Sequence, residues 1–175
     1  MTEAAPTGEG PCVQCGMCCD GTLFERATTR PQEADRLRGF GLTILADEAH
    51  FALPCHLLDG SRCTIYADRF RICRTFRCSL LTALDAGRVT ADRAIALVAE
   101  AKRLRADVAR IDPAAVQVRH RRERIADSAG WASVSDAQQR RRDAETYLRL
   151  STLDRFLRKH FYKSATAGTP PVVAA

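Results

Sequence analysis

Eight cysteines are the residues of this chain whose type and spacing point to chemistry. All of them precede residue 79 of a 175-residue sequence, whereas randomly placed thiols would be scattered along its whole length. They form two groups of four: Cys12, Cys15, Cys18 and Cys19, followed by Cys55, Cys63, Cys73 and Cys78. This confinement to one part of the chain indicates a site.

The first group has the spacing of a metal-binding loop. A Cys-x-x-Cys pair turns the chain back so that two sulfurs converge, and Cys12, Cys15 and Cys18 form two overlapping pairs, a rhythm found in iron–sulfur loops. Gly16 relieves backbone crowding inside this loop. Because adjacent side chains diverge, we expect Cys18 and Cys19 to face different centres, or one of them to face thiols of the second group.

The second group is spaced too openly for a local loop, so the fold must gather its sulfurs. Eight thiols fit two four-thiolate centres, which are two zinc ions, two iron–sulfur clusters, or one of each. The Cys-x-x-Cys rhythm favours iron–sulfur slightly over zinc, with disulfides as a third alternative. A radical S-adenosylmethionine enzyme has a three-residue gap before the two-residue gap, so the equal gaps here disfavour that class.

The expected compartment is a reducing one. Residues 1–10 contain no apolar stretch of the kind found in a signal peptide, and no run of eighteen apolar residues predicts a membrane span. We therefore expect a cytoplasmic protein without a membrane partner, whose cysteines are reduced metal ligands before they are disulfides.

Arginines accompany the second group. Arg74 and Arg77 flank Cys73 and Cys78, and we expect these two guanidinium groups to offset the negative charge of a four-thiolate centre or to donate hydrogen bonds to its sulfurs. Arg69 and Arg71 are weaker candidates for the same role. The alternative is that all four belong to a solvated face.

The fold that must position these residues is expected to be mostly α-helical, with a small irregular α+β cysteine core that is stabilised by metal. Only 7 Phe, 3 Tyr and 1 Trp are available to fill an apolar core. We predict a cysteine-cluster domain over residues 12–80, a basic helical region over 81–162 packed on it, and disordered tails at 1–11 and 164–175.

Local patterns predict the individual elements. Pro31 suits the first turn of a helix within 28–39, residues 42–45 suit a short strand, and Asp59-Gly60 suits the turn of a hairpin whose second strand is 63–66. Thr90 is a predicted N-cap for a helix that runs to Ile111. Further helices are predicted over 114–129 and from Ser133 or Ser135 to about residue 162.

The net charge of +6 comes from the second part of the chain. Residues 101–175 carry 16 basic and 8 acidic side chains, with runs at Arg119–Arg124 and Arg140–Arg142. Few aromatic residues are interleaved for base stacking, so we expect solvated helices and no nucleic-acid partner. A protein partner that binds the basic helices is an alternative.

Four other residues lie in or beside the cysteine segments and are candidates for roles around the site. His56 lies beside Cys55 and is expected at the surface or in a hydrogen bond. Asp20 is expected to cap the turn that follows Cys19. Tyr66 and Phe76 are expected to pack around the site and exclude water. No serine–histidine–acid set, phosphate-binding glycine loop or HExxH motif is present.

The cysteine segments resemble those of a known family. The matching segments are Cys12 to Cys19, Leu53-Pro54-Cys55, Gly60 to Tyr66, Arg69, and Cys73 to Cys78. Together they resemble the CxxCxxCC cysteine-cluster family, a YkgJ-type zinc- or iron-chelating domain. The family usually has proline after the arginine that stands here as Arg69, and this chain has Phe70.

The resemblance implies that all eight cysteines bind metal or an iron–sulfur cluster, in a structural or redox role. Some relatives are flagellin lysine methylases, but nothing in residues 81–175 supports that activity here. A redox or protein-modifying enzyme and a regulatory interaction protein remain the alternatives, and whether the chain is an enzyme is left open.

Overall fold

Short elements surround the cysteines and two long helices complete the fold. The computed structural model describes residues 10–112 and 137–163. The elements are α1 (Pro11–Cys15), β1 (Arg26–Thr28), a 3₁₀ helix (Pro31–Glu33), α2 (Ala34–Gly39), β2 (His50–Ala52), β3 (Leu58–Asp59), β4 (Arg62–Cys63), α3 (Arg71–Thr75), α4 (Ser79–Asp85), α5 (Ala91–Ala109) and α6 (Ala137–His160). The prediction of a mostly α-helical chain with a small β part is confirmed.

The strands form two small antiparallel ribbons. Strand β1 pairs with β2, with Ala27 opposite Phe51, and β3 pairs with β4 in the predicted hairpin. The second strand of the hairpin ends at Cys63, so it is shorter than expected. The strand predicted over 42–45 is wrong, because pairing there is limited to a single bridge between Ile44 and Phe51 while Leu42 turns into the core.

The larger apolar core lies between α5 and α6. Helix α5 begins as predicted, with the Thr90 hydroxyl accepting a hydrogen bond from the Arg93 amide at 3.3 Å. Met17, from the first cysteine loop, is completely buried in this core. The core residues are Met17, Leu23, Leu80, Ala94, Leu97, Val98, Ala101, Val108, Leu150, Leu153, Leu157 and Phe161. The first cysteine loop is therefore anchored on the long helices.

A smaller apolar core supports the segments that carry the later cysteines. Its buried side chains are Leu37, Leu42, Phe51, Leu53 and Phe70. Phe24 packs against both cores and meets Phe76 edge to face, with ring centroids 5.1 Å apart. The region between residues 20 and 75 thus has few large side chains to hold its short strands and loops.

The C-terminal end of α6 is fastened to the cysteine region. The Ser79 amide donates to the Phe161 carbonyl at 3.0 Å, and the Ser79 hydroxyl donates to the Tyr162 carbonyl at 2.6 Å. The Tyr162 hydroxyl donates to the Leu23 carbonyl at 3.4 Å. These bonds fix the residue after Cys78 by contacts with a helix some eighty residues away in sequence.

Several sequence-based predictions fall outside the described residues. These are the 114–129 helix, the caps at Ser133 or Ser135, the run Arg119–Arg124 and most of both tails. Within the described ranges, none of the helices combines the length and the apolar character needed to cross a membrane.

Candidate metal centre

The cysteine side chains meet at one cavity. Its volume is about 280 Å³, and its wall includes Cys12, Cys15, Cys18, Cys19, Cys55, Cys63, Cys73 and Cys78. All eight are free thiols. The chain therefore brings sulfur from both sequence groups to one place, and most of the remaining wall is apolar.

One set of four thiols combines the first loop with the last cysteine. Helix α1 carries Cys12 and Cys15, and the turn after Gly16 carries Cys18. Cys78 joins them as the N-cap of α4, where its sulfur accepts a hydrogen bond from the Leu81 amide at 3.4 Å. Every pair within this set lies close enough to interact electrostatically.

The other set combines Cys19 with the three remaining cysteines. Cys55 follows β2, Cys63 ends β4, and Cys73 lies in α3. The Cys55 amide donates to the Cys19 carbonyl at 2.7 Å, which joins the two sequence groups directly. Every pair in this set interacts electrostatically. Cys19 also interacts with Cys18 and Cys12 of the first set, but its largest thiol neighbours are Cys73, Cys55 and Cys63.

Burial is the main influence on the pKa values of six of these thiols, which are Cys12, Cys15, Cys18, Cys19, Cys55 and Cys73. It raises the pKa of Cys15 and of Cys19 to about 12, that of Cys73 to about 11, and that of Cys18 well above its ordinary value. Cys12 is exposed as a residue, yet its sulfur is enclosed enough that burial raises its pKa as well. Neighbouring thiolates add to the increase, because like charges disfavour ionisation.

Backbone amides donate hydrogen bonds to three of the sulfurs. The Met17 amide donates to Cys15 and lowers the pKa of that thiol, and the Leu57 amide does the same for Cys55. The Leu81 amide is the third donor, to Cys78. Hydrogen bonds of this kind favour the thiolate form, which is the form that binds metal.

The donor chemistry fits zinc or an iron–sulfur cluster. Both are held by four thiolates, and each set supplies four. Among residues 10–112 and 137–163, however, no three Cys, His, Asp or Glu side chains are already gathered tightly enough to hold a metal ion. The electrostatic neighbours thus define the membership of each set, whereas the finished coordination geometry is not formed.

Arg69 and Arg77 are arginines whose charges act on the thiols. The charge of each lowers the pKa of Cys12, and that of Arg69 also lowers the pKa of Cys73. Arg74 lies on the exposed side of α3, outside the cavity wall, whereas Arg69 lines it. Of the two arginines that the sequence favours, Arg77 acts on the thiol of Cys12 and Arg74 does not line the cavity.

The other candidates have local roles. The Asp20 carboxylate accepts the Thr22 amide at 2.9 Å, as expected of a cap, and also approaches Arg105 of α5 at 3.6 Å. His56 is exposed and its Nε2 lies 2.8 Å from the Phe40 carbonyl oxygen. Tyr66 and Phe76 line the cavity, but Tyr66 is 43% exposed and leaves the wall open to solvent.

Replacing Gly16 by alanine is expected to destabilise the protein. Gly16 has a φ of 71°, and an added Cβ would lie 3.1 Å from the Ser61 Cα of the β3–β4 turn. The left-handed conformation alone costs an alanine about 1–2 kcal/mol, and the backbone contact adds to this. Urea unfolding of Gly16→Ala and of Gly39→Ala, where a Cβ meets nothing within 4 Å, provides the comparison. Equal stability of the two variants would contradict the prediction.

The stability of the metal-free, reduced protein is expected to fall as the pH rises above about 9. The pKa values of Cys15 and Cys19 in the folded state lie above the ordinary value of 9.0, so their contribution is fully present below pH 9 and is lost as the pH approaches 12. Each such thiol contributes a slope of about 1.4 kcal/mol per pH unit. Urea unfolding between pH 8 and pH 10.5 measures the slope, and a Cys15→Ser/Cys19→Ser double variant should flatten it. If the unfolding free energy of the double variant falls with pH as steeply as that of the wild type, Cys15 and Cys19 are not the source of the pH dependence.

Comparison with known proteins agrees with the chemistry of the site. No curated protein and no solved structure matches the chain. A family model does match residues 11–114, a range that contains every element from α1 to α5 and all eight thiols. That family is described as "Putative zinc- or iron-chelating domain", and its match spans more than half of the sequence. The chain belongs to the CxxCxxCC family.

Proposed function

We propose that this chain is a metal-binding protein that holds two separate thiolate centres. The first is formed by Cys12, Cys15, Cys18 and Cys78, and the second by Cys19, Cys55, Cys63 and Cys73. The observation that carries the proposal is the gathering of eight thiols from both sequence groups at one cavity. Electrostatic interactions support two sets of four, because every pair inside each set interacts, while Cys19 also interacts with Cys18 and Cys12 of the first set.

Iron–sulfur clusters are the favoured occupants, and zinc is the alternative. Thiolates are soft ligands that suit both, and the overlapping Cys-x-x-Cys pairs resemble iron–sulfur loops. An iron–sulfur cluster supplies reversible one-electron transfer when bound, whereas zinc supplies a rigid cross-link between segments.

The protein's own residues hold, orient and shield the centres. Backbone amides of Met17, Leu57 and Leu81 donate to sulfurs and so favour the thiolate form. The side chains of Phe24 and Phe76 form an apolar part of the wall and limit the access of water. Low polarity around a metal centre strengthens its interactions with nearby charges.

Anaerobic purification of the full chain, followed by metal analysis, sulfide analysis and an absorption spectrum, tests the proposal. Iron with acid-labile sulfide and a broad visible absorption band identifies clusters, and a colourless protein with two zinc equivalents identifies zinc. Either result supports two thiolate centres. A chain that purifies without tightly bound metal and takes up neither zinc nor iron with sulfide would contradict the proposal.

An electron-transfer role is favoured over a purely structural one by the exposure of Cys12. This residue is exposed while the other seven cysteines are partly covered, so the first centre has an edge at the protein surface. Electrons enter or leave most readily where a centre approaches solvent. A reversible change in the absorption spectrum on titration with dithionite and ferricyanide would support this role, and redox-inert metal would exclude it.

A further inference from the structure

Arg69 is held in a fixed position at the wall of the thiol cavity. Its guanidinium carbon lies 3.6 Å from the centroid of the Tyr66 ring, and its Nε donates to the Tyr66 carbonyl at 2.8 Å. The side chain is partly covered and lines the cavity together with the cysteines. A stacked and hydrogen-bonded guanidinium has little freedom to move away, so its charge stays beside the thiols.

The position of Arg69 places one charge beside both sets of thiols. Its guanidinium is within electrostatic reach of Cys12 in the first set and of Cys73 in the second. Arg77 acts on Cys12, but it also lies 3.5 Å from the carboxylate of Asp85, which offsets part of its charge. Among these arginines, Arg69 is the one whose charge acts on both sets.

Loading both sets brings two negatively charged groups close together. Four thiolates around a divalent ion leave an excess of negative charge, and the two sets are joined by the adjacent residues Cys18 and Cys19, whose charges interact. In a poorly solvated cavity, this repulsion opposes filling the second set once the first is filled.

We infer that Arg69 is a positioning residue shared by the two centres, whose single fixed charge allows both to hold metal at the same time. The inference rests on the proposed function, and it adds a residue that is not itself a ligand. Groups beside a metal site change its affinity by about 10- to 100-fold when they are removed.

Zinc titration of the metal-free full chain, in competition with a chromophoric chelator, tests the role of Arg69. The wild type is expected to bind two equivalents. Arg69→Gln is expected to bind both equivalents more weakly than the wild type, with the larger loss, at least about tenfold, for the second equivalent. Arg74→Gln removes the same charge from the exposed side of α3 and is expected to behave as the wild type.

Variants of Tyr66 and a conservative change at Arg69 separate charge from position. Tyr66→Leu keeps the arginine but removes the ring on which it stacks, so it should also lower the affinity for the second zinc equivalent. Tyr66→Phe keeps the ring and should leave that affinity unchanged. Arg69→Lys keeps the charge without the planar group and should fall between the wild type and Arg69→Gln. If Arg69→Gln does not fold, as judged by its helical circular dichroism, Tyr66→Leu against Tyr66→Phe provides the same comparison.

The outcomes distinguish this inference from the proposed function. A second equivalent that binds Arg69→Gln as tightly as it binds the wild type overturns the inference alone. If Arg69→Gln and Arg74→Gln weaken binding of the second zinc equivalent to the same extent, the inference is also overturned, because the effect would then come from net charge and not from the position of Arg69. A wild type that binds no zinc overturns the proposed function together with the inference.

Discussion

Cys18→Ser and Cys19→Ser are each expected to remove one of two metal equivalents, and a different one in each case. The two thiols interact with each other, but the largest thiol neighbours of Cys18 are Cys15 and Cys78, whereas those of Cys19 belong to the second set. A serine hydroxyl is a poor substitute for a thiolate ligand of zinc or iron, so each change should abolish tight binding at one centre.

Double variants distinguish this arrangement from a single mixed centre. Cys15→Ser combined with Cys18→Ser changes two members of one set and should still leave one equivalent. Cys73→Ser combined with Cys18→Ser changes one member of each set and should leave none. The number of metal equivalents bound by each double variant is measured from its metal content after purification and from spectra of the cobalt-substituted protein. Loss of all metal from the Cys15/Cys18 double variant would contradict the division into two sets.

Part of this site could be predicted from the sequence alone, because it depends on local geometry. The divergence of Cys18 and Cys19 is expected from their adjacency, and a glycine that relieves backbone crowding is expected at Gly16. The structure adds that the crowding comes from Ser61 of the β3–β4 turn. The ligand role of the eight thiols stays a prediction, but their approach to one cavity is present in the structure.

The exchange of one cysteine between the two sequence groups could not be predicted, because it depends on tertiary contacts. Cys78 joins the first set through the start of α4, and α4 is fastened there by bonds from Ser79 to the end of α6. Those partners lie far away in sequence, and nothing in the spacing of the cysteines identifies them.

The orientation of the arginines depends on the tertiary structure for a related reason. Arg71 and Arg74 are one turn apart in α3 and lie on its exposed side, while Ile72 and Cys73 line the cavity. Arg74 is next to Cys73 in sequence, and this makes it a candidate to act on the centre. Its position on the short helix α3, however, directs its side chain to the exposed side. Arg69 precedes the helix and reaches the cavity from the loop.

Helical periodicity gave the most accurate predictions of the fold. The positions Leu97, Ala101 and Val108 in α5 are buried, as their spacing predicts. The prediction of a strand at 42–45 was wrong. A run of four apolar or β-branched residues suits a strand, but it does not show whether a second strand will pair with all four residues. Here the pairing is one bridge, and Leu42 is used by the smaller core.

Removing metal from the loaded protein is expected to loosen residues 20–75 far more than helices α5 and α6. The smaller core has five buried side chains, its ribbons have strands of two or three residues, and all the cysteines are free. Isolated ribbons of this size are marginally stable in water. Structural zinc contributes apparent folding free energies of about 10–16 kcal/mol at pH 7, so its loss should dominate the stability of this region.

Hydrogen–deuterium exchange with and without a chelator measures this difference segment by segment. Amides in β2 and β4 should lose protection by orders of magnitude on metal removal, while those near Val98 and Leu153 should change little, since these side chains belong to the larger core. A variant with both Cys18→Ser and Cys19→Ser is the control, because a protein that lacks both centres should not respond to the chelator. Equal loss of protection in α5, α6 and the cysteine segments would show that the metal supports the whole fold as one unit, and unchanged protection throughout would show that the smaller core is sufficient without it.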